Sequence, residues 1–179
     1  IRDSSVTGVQ TCALPIFASS AIHRGLEDES EDLQKLSLTL AEHADRSFQS
    51  IDIILGSVAD TLGTARADEF EAIVSSRAFN QMLRDRLHGA PQLEAISIAD
   101  RNGRLLNSSR FWPMPITDIS ERNYFQAFKD DPKLAIYISD PLKGLIDNTS
   151  RVYFVRRLVG TDGQWLGLVM GSVAMDYFE

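Results

Sequence analysis

Cysteine is nearly missing from this chain: Cys12 is the only one among 179 residues. A lone thiol excludes an intramolecular disulfide, a cysteine-based zinc site and a CxxC redox pair. Histidine is scarce as well, with His23, His43 and His88 far apart and no HExxH, so neither a metal nor another cofactor is expected. A GxSxG elbow, a GxGxxG turn and a P-loop are also absent, which removes the usual anchors of nucleophilic and phosphate-binding chemistry. Positive charge is in deficit: 18 Lys+Arg against 25 Asp+Glu leave a net −7, with no basic block. Nucleic-acid grooves and polybasic membrane patches need clustered positive charge to displace counterions, so no nucleic-acid partner is expected. Long apolar runs are missing too. Ala13 to Ile22 is about half of the roughly 20 residues that cross a bilayer, and Ser19 and Ser20 interrupt it.

What is present is close to average for a globular domain, 44% hydrophobic and 24% charged, with enough length for a real core. Apolar residues recur at Leu33, Leu36, Leu40, Ala44, Phe48, Ile51, Leu55, Val58 and Leu62, a mean spacing of about 3.6 residues that predicts one long helix. Glu27, Asp28, Glu29, Glu31 and Asp32 suit its N-terminus, Ser30 is a candidate cap, and Gly63 suits its end. A second helix is predicted over Asp68 to Leu87, closed by Gly89-Ala90-Pro91. After Pro91 the period drops to 2. Strands are predicted at Leu93–Ala99, Arg104–Ser109, Leu134–Ser139, Arg151–Val159 and Trp165–Met175. The first two flank Asp100-Arg101-Asn102-Gly103, and the last two flank Thr161-Asp162-Gly163-Gln164, both hairpin turns. Between them Phe111–Ile119 reads as a loop, and Ser120 as the cap of a short helix, Glu121–Lys129. The fold class is therefore α+β, a long N-terminal helix packed on a five-stranded antiparallel sheet. The expected divisions are a leader over 1–24, helices over 25–90 and the sheet over 91–179.

Two stretches carry resemblances. Residues 1–16, IRDSSVTGVQTCALPI, lack periodicity and resemble a translated sequencing adapter, so they are expected to be foreign to the fold. The remainder, about Leu33 to Glu179, resembles the membrane-distal half of a double Cache (PDC) sensor domain with its PAS-like sheet. It is most similar to the first such module of bacterial membrane-bound diguanylate cyclases. The residues that carry the likeness are the hairpin Ile98–Ser109, the segment Ser120-Glu121-Arg122-Asn123-Tyr124-Phe125, the strand Tyr137–Pro141, the turn Asp162–Gly167 and the closing Asp176-Tyr177-Phe178.

The resemblance implies a non-catalytic, extracytoplasmic module that binds a small ligand, an amino acid or a carboxylate. It further implies a cell-membrane receptor, a diguanylate cyclase or histidine kinase, joined through flanking membrane helices outside this sequence. In amino-acid-binding relatives an R-x-W-Y segment and a late Asp hold the ligand. Here Arg122 and Asp176 match, whereas Tyr124 stands for the Trp and Phe125 for the Tyr. Phe125 has no hydroxyl, which makes a plain carboxylate as good a candidate as an amino acid. The implied ligand-binding set is Arg122, Tyr124, Phe125, Tyr137, Ser139, Tyr153 and Asp176. An Arg fork is in any case the side chain best shaped for a carboxylate.

The competing reading places Arg122 on a helix surface and lets Tyr137, Tyr153 and Asp176 merely pack on the sheet, leaving a ligand-free dimerisation module. In either case the stripe Leu33–Leu62 is the candidate homodimer seam. On an alternating strand Arg156 points opposite to Arg151 and Arg157; their roles stay open, most strand arginines being solvated. The sequons at Asn107 and Asn148 matter only in a eukaryotic secretory pathway.

Overall fold

The structure, a computed structural model, describes residues 45–175. The expected leader, the first half of the long helix and Asp176 lie outside the described residues. The chain divides into two compact units, 1–46 and 47–179; only the second is followed below. It opens with α1, helical over 47–62. Then come α2 (Ala67–Val74), α3 (Arg77–Leu87), β1 (Ala95–Asp100), β2 (Leu105–Ser108), α4 (Asn123–Asp130), β3 (Ile136–Ile138), β4 (Leu142–Lys143), β5 (Ser150–Val159) and β6 (Trp165–Ala174). The sheet is antiparallel, in the order β2-β1-β6-β5-β3, with β4 pairing the start of β5. Among the described residues it thus has six strands where the periodicity predicts five. The sixth, β4, has two residues, too short to leave a periodic trace.

Two other differences have local causes. The predicted second helix is broken into α2 and α3 because the Ser76 hydroxyl accepts from the Phe79 amide at 3.1 Å and restarts the helix. Ser120 does not cap α4, which begins at Asn123 with Arg122 at the N-cap position. The Ile119 amide donates to the Gly103 carbonyl at 2.8 Å and the Ser120 amide to Asp118 Oδ1 at 2.6 Å. This segment is therefore tied to the β1–β2 hairpin before the helix can start.

Strand alternation splits the core in two. Ile96 and Ile98 of β1, Phe154 and Leu158 of β5, and Val169 and Val173 of β6 face α1, where Ile51, Leu55, Val58 and Leu62 are buried with them. At about 1.5–3 kcal/mol for each fully buried side chain, this face holds α1 firmly. The apolar stripe from Ile51 to Leu62 is consumed in doing so, and any dimer seam on it would have to use residues outside the described ones or Ile53, which is 71% exposed. On the opposite face Ala99, Val155, Leu168 and Met170 pack against Tyr124, Phe125 and Phe128 of α4.

Asn107 fastens α2 and α3 to β2. Its Nδ2 donates to the Val74 carbonyl at 2.6 Å, and its Oδ1 accepts from Asn80 Nδ2 at 2.9 Å. Its side chain is 0% exposed, which excludes glycan transfer to that sequon in the folded protein. Asn107→Ala should destabilise by about 2–4 kcal/mol, because it strands a buried donor of Asn80 and the Val74 carbonyl together. A urea denaturation midpoint unchanged from wild type would contradict this.

Candidate functional site

The face opposite α1 carries a cavity of about 80 Å³. Its floor is the sheet: Ala95 and Ser97 of β1, Arg151 and Tyr153 of β5, and Met170 and Ser172 of β6. The register sets Tyr153 directly opposite Ser172, and Ser172 opposite Ala95, so these side chains share a face. The walls are the N-terminal end of α4, with Arg122 and Tyr124, the β2–α4 loop, with Arg110 and Phe111, and the β4–β5 turn, with Gly144 and Asp147.

Among the predicted site residues, Arg122, Tyr124 and Tyr153 meet at this cavity. Arg122 stands at the mouth, where its Nη2 donates to the Lys143 carbonyl at 2.7 Å. The Tyr124 and Tyr153 rings lie 5.7 Å apart, tilted by 31°, a geometry that adds about 0.5–1.5 kcal/mol to their burial. Burial raises the titration of both phenols, so both stay protonated and offer O–H donors.

Three other predicted residues do not line the cavity. Phe125, one residue after Tyr124 on a helix, turns away and packs on Trp165 with ring centroids 5.7 Å apart. Tyr137, on edge strand β3, pairs with Val155 and packs against the α4-side cluster. Ser139 ties the end of that edge to β5, its hydroxyl accepting from the Tyr153 amide at 2.9 Å and its amide donating to the Tyr153 carbonyl at 2.9 Å. Asp176 lies outside the described residues.

A cluster of charges whose pairing the sequence does not reveal forms the inner wall. Arg151 is 5% exposed, not solvated, since its strand position directs it under the β4–β5 turn. Its Nη1 and Nη2 grip Asp147 Oδ1 and Oδ2 at 2.6 and 2.7 Å, and its Nε donates to Glu94 Oε2. Arg110 adds a contact from Nη1 to Asp147 Oδ2 at 3.0 Å. Gly144 makes this possible: a Cβ there would stand 2.7 Å from Arg151 Nη1 and 2.8 Å from Asp147 Oδ1. The sequence signal was faint, an Asp four residues before a strand Arg, while Glu94 and Arg110 are remote in the chain.

The other strand arginines divide as alternation requires. Arg156 pairs with Asp52 on the α1 face. Arg157, on the α4 face, lies 5.4 Å from the Phe128 ring centroid and 5.0 Å from that of Trp165, and donates to the Phe128, Asp131 and Leu134 carbonyls. It thereby covers the C-terminal end of α4.

The bidentate hydrogen bonds from Arg151 hold the Asp147 carboxyl well below the usual carboxylate range. A depressed folded-state value stabilises the fold above the unfolded-state pKa, about 3.9, and that contribution fades as the pH drops further. At pH 7, therefore, wild type should melt higher than Asp147→Asn, and the gap should narrow steadily below about pH 4. Melting curves of the two proteins from neutral to acid pH check this; parallel profiles would show that the pair contributes nothing.

No protein-family model matches the chain, and no curated protein matches it. Solved structures do. The extracellular domain of a candidate histidine kinase, rpHK1S-Z16, superposes with a TM-score of 0.74 at 28% identity, covering 86% of this chain and 60% of that one. The ligand-binding domain of the Campylobacter jejuni chemoreceptor Tlp3 in complex with L-valine gives 0.65 at 12% identity over 96% of this chain and 66% of that one. That of the Pseudomonas aeruginosa amino-acid chemoreceptor PctC with GABA gives 0.66 at 13%, over 84% and 66%. At such identities the chemoreceptors share the fold alone. The chain spans about 60% of the length of the kinase domain. Its fold is that of extracellular ligand-binding sensor domains, and these solved relatives are sensor domains rather than catalytic ones.

Proposed function

We propose that this chain is an extracytoplasmic sensing module of a bacterial transmembrane receptor, a diguanylate cyclase or a histidine kinase, and that it binds a small amino acid or carboxylate in the cavity above the sheet. The observation that carries the reading is the convergence of Arg122, Tyr124 and Tyr153 on one concave site: a carboxylate-shaped fork beside two neutral phenols. The likeness to a kinase's extracellular domain supports it. Asp176 completes the proposed set as the partner of a ligand ammonium group.

The two faces of β5 suggest how occupancy is relayed. Tyr153 faces the cavity, while its neighbour Phe154 packs on Phe48 of α1 with centroids 5.1 Å apart, and Arg156 pairs with Asp52 on the same helix. A ligand that shifts β5 by a fraction of an ångström changes how the sheet sits on α1, and it biases the receptor by its differential affinity for the two packings.

A thermal-shift screen of amino acids, small carboxylates and amines tests the proposal. A carboxylate-bearing compound should raise the melting temperature of wild type in a concentration-dependent way. If none does and the chain sediments as a dimer, the dimerisation reading takes its place.

A further inference from the structure

Resting on the reading of this cavity as the ligand site, we propose that its ligand is a short-chain dicarboxylate, one carboxylate held by Arg122 and the other by Arg110. The argument is a census of donors and acceptors. Among the described residues Arg110, Arg122 and Arg151 line the cavity, against a single carboxylate, Asp147. Arg151 is committed: Nε goes to Glu94, Nη1 to Asp147 and to the Thr149 carbonyl at 3.4 Å, and Nη2 to Asp147.

Asp147 is committed in turn. Its Oδ1 accepts from Arg151 Nη1 and from the Thr149 amide at 3.2 Å; its Oδ2 accepts from Arg151 Nη2 and lies 3.0 Å from Arg110 Nη1 as an ion pair. Two carboxylate oxygens offer about four acceptor positions; three are filled and the fourth side faces the Arg110 guanidinium, which repels a ligand ammonium group. Arg110, 41% exposed at its side chain, spends one nitrogen on Asp147 and Glu94. Arg122 spends one on the Lys143 carbonyl. Each guanidinium has five N–H donors, and the Tyr124 and Tyr153 hydroxyls add two more. The described wall therefore has donors and positive charge to spare and its one carboxylate already satisfied, complementary to a molecule that brings acceptors at both ends.

Both forks lean on the same turn. Arg122 donates to the Lys143 carbonyl at the start of the β4–β5 turn, and Arg110 pairs with Asp147 within it. That turn is closed by the Gly144 amide on the Thr149 carbonyl at 2.9 Å and the Asn148 amide on the Gly144 carbonyl at 3.1 Å. A short diacid reaching across this turn would meet both forks.

The experiment is calorimetry of the 179-residue chain with succinate, butyrate and 4-aminobutyrate, which share a four-carbon backbone and differ at one end. Succinate should bind about 30-fold or more tighter than butyrate, and 4-aminobutyrate no better than butyrate. Arg110→Gln should bring succinate to within about threefold of butyrate while leaving butyrate unchanged; Arg122→Gln should weaken both. Should Arg110→Gln fail to fold, Arg110→Lys, which keeps the charge on Asp147 but loses the fork, should still narrow the preference for succinate. Equal or tighter binding of 4-aminobutyrate, as an ammonium site at Asp176 would give, overturns the dicarboxylate, as does an Arg110 variant that leaves the preference intact. In either case a dependence on Arg122 would leave the cavity itself standing as the ligand site. Binding of none of the three, or binding indifferent to Arg122→Gln, overturns both the dicarboxylate and the cavity reading.

Discussion

Gly167→Ala should cost the protein a large part of its stability. Gly167 sits in β6 opposite Asp100 of β1 and Leu158 of β5, in the middle of the sheet. Its φ is +155°, and a Cβ there would lie 2.0 Å from the Ala99 carbonyl oxygen and 3.0 Å from Asp100 Cα. Neither atom is the tip of a movable side chain, so relief requires parting β1 from β6. That sacrifices ladder hydrogen bonds between buried strands and loosens both core faces, a loss of more than about 4 kcal/mol against a total stability of about 5–15 kcal/mol for a domain. Gly163 is the control. It also has a positive φ, +74°, but a Cβ there meets nothing within 4 Å, so Gly163→Ala should lose only about 1–2 kcal/mol. Denaturation midpoints of the two variants decide the matter, and similar values would show that the sheet accommodates the methyl group.

Arg122→Ala should reduce affinity for a carboxylate ligand about 30- to 1000-fold, from loss of roughly 2–4 kcal/mol of charge-assisted, bidentate contact. Stability should hardly change, since the hydrogen bond from Arg122 to the Lys143 carbonyl is exposed and water replaces it readily. The contrast with Arg151 sharpens the test. Arg151→Ala should lower the melting temperature first, because it leaves Asp147 and Glu94 without their buried partner. Calorimetry and melting curves on both variants separate the two roles. A ligand that binds Arg122→Ala as tightly as wild type would move the binding site elsewhere, and an unfolded Arg122→Ala would make the residue structural.

The sequence by itself determined what local physics controls. The 3.6-residue stripe from Ile51 to Leu62 matches α1, and the Asp100–Gly103 turn joins β1 to β2, with Asp100 Oδ1 accepting from the Asn102 and Arg104 amides. Alternation along β5 correctly separated Arg156 from Arg151 and Arg157. Each of these rests on neighbours within a turn or a strand pair, where side-chain period and turn chemistry act directly. Only the tertiary structure decided what happens when distant segments meet. Glu94 reaches Arg151 across 57 residues, Arg110 arrives from another loop, and their union makes the inner wall that no short pattern encodes. Phe125 and Tyr124 are adjacent in the chain, yet one faces Trp165 and the other the cavity, because the direction of each depends on the rotation of α4 about its axis. That rotation is set by packing against β5 and β6. Burial of Arg151 follows the same logic: a guanidinium leaves water only where carboxylates from elsewhere in the chain have been brought to meet it.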